Sequence, residues 1–226
     1  RSILKNGEYH IDGEKKLTER NATIVYSGGD DVFIVGAWNE VIELSIDLQE
    51  KFKKYTQGTL SISSGIGIYE CTYPIGAIAN ETGEMEAESK RMPEKDSVTF
   101  MDDGETHLIN ELEICDGTYR WEELYKSVLG EKYDVIQDFL GESDERGMSF
   151  LYRMLELIRN QKEKINFARF VYLLSRLEPD KEGEKKEKYR KFSRKMYQWV
   201  QSEKDCRELK TAINLYAYMH REKGAH

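Results

Sequence analysis

No stretch of this 226-residue chain approaches the ~18 consecutive apolar residues of a membrane span, and no signal-peptide pattern opens it. Cysteine is scarce. Cys71, Cys115 and Cys206 lie far apart and form no CxxC pair, so neither a disulfide framework nor a zinc site is expected. The four histidines are scattered too. A reducing, cytoplasmic setting suits this usage. There, the sequon matches Asn21-Ala22-Thr23 and Asn80-Glu81-Thr82 carry no meaning. Walker loop, nucleophile elbow and internal repeat are all missing. Excess positive charge is missing as well. Charged residues make up 34% of the chain and the net charge is −8, so any nucleic-acid site must be a local patch. The first residues are Arg1-Ser2 rather than a methionine, which suggests a piece of a longer protein. A mass of 26.4 kDa allows one large domain or two modest ones.

What is present is organised around residues 23–35. Two β-branched runs, Thr23-Ile24-Val25-Tyr26 and Val32-Phe33-Ile34-Val35, flank Ser27-Gly28-Gly29-Asp30-Asp31. The pattern predicts a strand, a tight turn and a strand, with both strands buried. Gly28 and Gly29 can take the positive φ that a two-residue hairpin turn demands. Lacking side chains, they also leave room for a phosphate against the backbone. Asp30 and Asp31 follow at once. Adjacent carboxylates repel, and a cation relieves the repulsion. Magnesium or manganese suits oxygen ligands of this kind. Glycine and aspartate are also ordinary turn residues, so the same letters fit a solvated hairpin tip.

The stretch Tyr26-Ser27-Gly28-Gly29-Asp30-Asp31-Val32-Phe33-Ile34-Val35-Gly36-Ala37-Trp38 resembles the signature of the second palm, or cyclase, domain in the large subunit of type III CRISPR effector complexes, nearest the III-A branch. The resemblance implies an ATP-using nucleotidyltransferase that makes cyclic oligoadenylates when target RNA is bound. It implies metal at Asp30 and Asp31, with nucleotide against Gly28 and Gly29. A diguanylate cyclase relative is another reading. Those proteins carry Gly-Gly-Asp/Glu-Glu-Phe, and Asp31-Val32-Phe33 is one residue out of step.

Beyond the hairpin, the pattern predicts a helix over 40–57, N-capped by Asn39. Val41, Leu44, Leu48, Phe52 and Tyr55 form its buried face, and Gly58 ends it. A strand is expected over 59–69, with Leu60, Ile62, Ile66 and Ile68 on one face. Ser61, Ser63, Gly65 and Gly67 form a small second face that admits a packed helix or a ligand. A helix over 75–91 follows. In related cyclase folds this helix ends in an Ala-x-x-Lys-like element whose lysine meets the triphosphate. Ala87-Glu88-Ser89-Lys90 occupies that place, although Lys90 can equally pair with Glu86. The order matches the later part of a ferredoxin-like palm, β-α-β-β-α-β. The first strand, which in palm enzymes supplies a further metal-binding aspartate, has no counterpart upstream of Thr23. Residues 1–22 read as loop or hairpin, with His10 and Asp12 as remote ligand candidates.

Residues 96–109 suggest a second hairpin around Asp102-Asp103-Gly104, its acidic pair structural. Residues 70–116 carry 13 acidic and 3 basic residues, a surface that would repel RNA. From 117 the pattern is helical, over 120–129, 132–141, 147–163, 165–177, 184–202 and 204–222. The expected fold class is therefore α+β: a partial ferredoxin-like palm over 23–116, then an all-α helical bundle over 117–226. Lys181–Lys195 holds eight basic and three acidic residues interleaved with Tyr189 and Phe192. That mixture fits single-stranded nucleic acid, but a buried aromatic face with solvated lysines explains it as well. In the resembled family a helical domain follows the palm. It packs on helical small subunits and lies toward the guide and target RNA. A non-catalytic scaffold is the reading to set against the enzyme.

Overall fold

The computed structural model describes Leu4 and residues 19–101, 104–141, 146–159 and 164–221. His10, Asp12, Asp102 and Asp103 lie outside the described residues. The chain divides into two compact units, 1–125 and 126–226.

The first unit opens with the expected hairpin. Strand β1 (Ala22–Gly28) pairs antiparallel with β2 (Asp31–Gly36). The register slips by one residue between Ile24 and Tyr26, a bulge that inserts Val25 and bends the ribbon. Helix α1 (Trp38–Tyr55) follows, then strand β3 (Ser64–Ile66) and helix α2 (Ile75–Ser89). Next come β4 (Ser97–Phe100), β5 (Thr106–Ile109), β6 (Leu112–Cys115) and β7 (Thr118–Arg120). Strands β3, β4 and β7 form one sheet, β3 parallel and β7 antiparallel to β4; β5 and β6 form a separate hairpin.

Several expectations change here. The hairpin strands are not buried: Ile24, Val25, Tyr26 and Val32 are exposed, because the two-stranded ribbon has no sheet neighbour among the described residues. The strand over 59–69 shrinks to Ser64–Ile66, with Leu60 exposed. The second hairpin does not form around Gly104, since β4 finds β3 and β7 while β5 turns back on β6. On α1 the N-cap is Ala37, not Asn39, and no side chain caps it. The predicted apolar face is also only partly covered. Leu44 is buried and Tyr55 is 86% exposed, while Glu43, Asp47 and Gln49 are buried instead. Asp47 explains part of this: it accepts a 2.6 Å hydrogen bond from the buried Arg20 guanidinium.

The core of this unit packs Ile42 and Ile46 of α1 with Ile66, Val98, Phe100, Tyr119 and Trp121, all nearly inaccessible. Full burial of each such side chain contributes about 1.5–3 kcal/mol. The small face read on residues 61–67 serves helix packing. A Cβ at Gly65 would fall on the Thr82 carbonyl oxygen and the Glu86 amide of α2. Gly65→Ala is therefore expected to destabilise this unit by about 1–3 kcal/mol, read as a drop in thermal midpoint. Gly83 on α2 stands in open space, with nothing near the place a Cβ would take, and should tolerate alanine.

A short helix α3 (Trp121–Glu123) leads from β7 into a π-helical stretch, Leu124–Tyr133, and then α4 (Asp134–Leu140). The two helices expected over 120–141 are thus one continuous run; Gly130 does not interrupt it. The second unit is helical. Helices α5 (Arg146–Arg159), α6 (Lys164–Ser175), α7 (Glu184–Trp199) and α8 (Glu203–Arg221) follow α4. Leu151, Met154, Phe170, Phe192, Met196, Leu209 and Ile213 form the bundle core. The aromatic residues Tyr189, Phe192 and Trp199 of α7 face inward, as a packed helix requires.

Candidate nucleotide site

The hairpin turn is two residues long. Gly28 pairs with Asp31, leaving Gly29 and Asp30 at the corners. Gly29 has φ +62° with open space where a Cβ would stand, so its glycine is conformational. Gly28 belongs to the strand and does not need positive φ; a Cβ there would meet only the movable ring of Tyr26. Asp30 therefore sits on the turn and Asp31 opens β2. Both are exposed.

Lys90 is the C-cap of α2. Several bonds fix that end of the helix. Ser89 Oγ donates to the Glu86 carbonyl, and Ser97 Oγ on β4 donates 2.6 Å to the Ser89 carbonyl. The close approach at Gly65 sets α2 on β3. The Lys90 ammonium pairs with Glu86 at 2.5 Å, the helical neighbour that the i, i+4 spacing offers. That hydrogen bond raises the lysine pKa against a smaller opposing effect of burial, and the charges of Glu86, Asp31 and Asp30 raise it further. The lysine thus lies within the field of both hairpin carboxylates. Sequence distance hides this: 59 positions separate Asp31 from Lys90.

Could the residues present hold a divalent cation? Two adjacent exposed carboxylates fit Mg²⁺ or Mn²⁺, which commonly keep several waters and take one or two protein carboxylates with substrate phosphates. Among the described residues no group of three His, Cys, Asp or Glu side chains gathers to hold an ion alone. A cavity of about 680 Å³ lies elsewhere, between α2 and the β5–β6 hairpin. Glu81, Glu84, Glu88 and Glu113 line it against Arg91, so it is unsuited to a polyphosphate. Among the described residues no helix is long and apolar enough to cross a membrane.

Fold and site together define a palm-type α+β domain with an acidic hairpin turn, joined in sequence to a helical domain. The second palm domain of Cas10/Cmr2 matches residues 5–99. The second helical domain of the Cmr2 subunit of the CRISPR RNA silencing complex matches residues 137–222. The chain belongs to the Cas10/Cmr2 family, and the relatives it resembles are of the Csm1 type, subtype III-A. One is the single-strand-specific deoxyribonuclease Cas10/Csm1 of Mycobacterium tuberculosis, 40% identical over 94% of this chain and 25% of the relative. A Csm1–Csm4 cassette solved in complex with one ATP has TM-score 0.58 and 24% identity over 93% of this chain and 29% of that one. Another, in complex with cA4, has TM-score 0.59 and 21% identity over 96% and 29%. At these identities the solved structures show the fold. The chain spans about a quarter of the length of the curated relatives it matches.

Proposed function

We propose that this chain carries the metal- and nucleotide-binding half of a cyclic oligoadenylate synthase that works within a type III-A effector complex. The reading is supported by the acidic two-residue turn, in which Asp30 and Asp31 follow the glycine pair Gly28-Gly29, and by the electrostatic influence of both carboxylates on Lys90 at the end of α2. Csm1 cassettes holding ATP or cA4 support the nucleotide class.

Asp30 and Asp31 would hold Mg²⁺ or Mn²⁺. When bound, such an ion offsets triphosphate charge and favours the ionised form of a nearby hydroxyl. The chain's own residues do the positioning. Gly29 holds the turn so that backbone can approach phosphate, and Lys90 screens the phosphate oxygens. In the reaction the 3′-oxygen of one ATP bonds to the α-phosphorus of another. The bond from that phosphorus to the bridging oxygen breaks, pyrophosphate leaves with the electron pair, and the hydroxyl proton passes to solvent. Two ATP molecules are required, so half of the site belongs to a second palm. Among the described residues the hairpin is exposed and the edges of β2 and β3 are unpaired, which supports a further palm strand that joins the two sheets. The helical unit would dock helical small subunits and face guide and target RNA; Csm4, the partner in the solved cassettes, is a further candidate.

The test is ATP binding with manganese, by calorimetry, for the chain and for Asp30→Ala/Asp31→Ala. Loss of metal-dependent binding with an unchanged thermal melt is expected. Retained binding would sink the reading and leave the chain a scaffold. Isolated from a second palm, the chain should turn over little ATP.

A further inference from the structure

Lys181–Lys195 is the basic, aromatic segment of the sequence, and the structure occupies it internally. Of its eight basic residues, five have acidic partners. Lys186 pairs with Glu178 and Glu182, Lys188 with Glu184, and Arg190 with Glu182; Lys191 pairs with Asp138 and Lys195 with Glu131. Tyr189, Phe192 and Trp199 are buried and cannot stack on a base.

A second basic region runs through α5 and α6. Residues 146–177 hold seven basic and two acidic residues. Arg153, Arg159, Arg169 and Arg176 are exposed, and none has an acidic partner among the described residues. Among those residues the one polar contact of these four side chains is a long 3.5 Å bond from Arg169 to the Asn166 side chain. Ile165, Arg169, Tyr172 and Arg176 are spaced four, three and four apart, which places them on one stripe of α6. The Arg176 amide still bonds to the Tyr172 carbonyl, so the helical turn extends that far. Ile165 is 55% exposed and Tyr172 62%. The backbone positions of Arg169 and Arg176 are thus about 10.5 Å apart along the helix axis, with Tyr172 between them on the same stripe.

We propose that this Arg-Tyr-Arg stripe of α6 is a contact surface for single-stranded RNA. The proposal rests on the reading of the chain as part of an RNA-containing complex. Guanidinium forks grip phosphate oxygens in two-point contacts, and a tyrosine face stacks on any base. Because these contacts are sequence-tolerant, the surface would hold backbone and bases without selecting sequence. An acidic protein helix is the rival occupant. An exposed ring flanked by unpaired guanidiniums favours nucleic acid, because an acidic helix would use the charges and leave the ring idle.

The experiment titrates the chain into a labelled, unstructured oligouridine RNA of about 20 nucleotides across a salt series, followed by fluorescence anisotropy. Arg169→Gln/Arg176→Gln should weaken binding and reduce the slope of log affinity against log salt by about 1.4, from about 0.7 for each lost phosphate contact. Tyr172→Ala should cost roughly fivefold or more at every salt concentration. Lys186→Gln/Lys188→Gln, which removes cations already paired, should leave the slope unchanged. Arg169, Tyr172 and Arg176 are exposed and Lys186 and Lys188 half-buried, and matching melts exclude unfolding as the cause. If the arginine variant binds with the parent's affinity and slope, the stripe is not the contact, although RNA remains a partner. If the chain shows no salt-dependent RNA binding, the stripe and the RNA partnership both fail, while the ATP reading stands on its own assay.

Discussion

Replacing Lys132 by methionine will lower the stability of the helical unit by about 3–5 kcal/mol. The ammonium is buried, with 3% of its side chain accessible. It reaches Glu208 at 2.6 Å, Asp205 at 2.8 Å and Glu131 at 3.3 Å, and stands 5.2 Å from the centre of the Trp199 ring. Burial alone would lower its pKa. The hydrogen bonds to Asp205 and Glu208, with their charges, outweigh burial and hold it above the ordinary lysine value. Glu208 is 1% exposed, so removing the lysine leaves a carboxylate deep in the bundle with much less compensation. Asp205 and Glu131 are partly solvated and adapt more easily. The double change Lys132→Met/Glu208→Met should recover much of the loss, because a buried pair replaced by apolar volume is often neutral. Denaturant melts of the single and double variants read this directly; a double variant no better than the single would show that packing, not charge, is the cause. The sign for pH follows from the raised pKa. The stabilisation is fully present below the unfolded lysine value of about 10.4 and is lost as pH rises through the higher folded value.

The second large effect is expected at Trp121. Its ring is 1% exposed, and its indole N–H donates 2.9 Å to the Ile62 carbonyl, 59 positions earlier in the chain. Trp121→Ala removes the ring from the core beside β7 and leaves that carbonyl unsatisfied. A loss of about 3–5 kcal/mol follows, enough to unfold a marginal domain. Trp121→Phe keeps most of the volume and loses the hydrogen bond, and should cost about 1–3 kcal/mol. Near-equal losses for the two variants would mean that the bond, rather than the ring, anchors the segment before β3.

The hairpin that carries the candidate site could be read from letters alone. Gly28-Gly29-Asp30-Asp31 between β-branched runs dictates a hairpin because only glycine accepts φ +62° cheaply and two residues suffice to reverse the ribbon. The helices over 38–55 and 75–89 and the bundle helices are encoded by 3.6-residue periodicity, a local property. Partner choice was not legible. Whether Val98-Thr99-Phe100 would turn back on Thr106–Ile109 or lie between β3 and β7 depends on contacts distant in sequence. The buried Thr99–Thr118 hydroxyl pair at 2.9 Å and the Ser97 bond to α2 favour the second arrangement.

Charge shows the same division. Composition alone established that bulk electrostatics would not draw nucleic acid, since −8 is a sum over residues and needs no geometry. Which cations are spent and which are available required the fold. Eight basic residues in one segment have the composition of an interface, yet acids close in sequence pair with three of them and helix packing sets Asp138 and Glu131 beside two more. The basic bias of residues 146–177 is legible in composition, but that Arg153, Arg159, Arg169 and Arg176 have no acidic partner among the described residues is not, because pairing is a matter of distance. Likewise the sequence alone determined an acidic turn and a lysine-ended helix, each written in a few consecutive residues. That Lys90 feels Asp30 and Asp31 was decided by tertiary structure: Gly65 lets α2 settle on β3, and Ser97 holds the helix end in place.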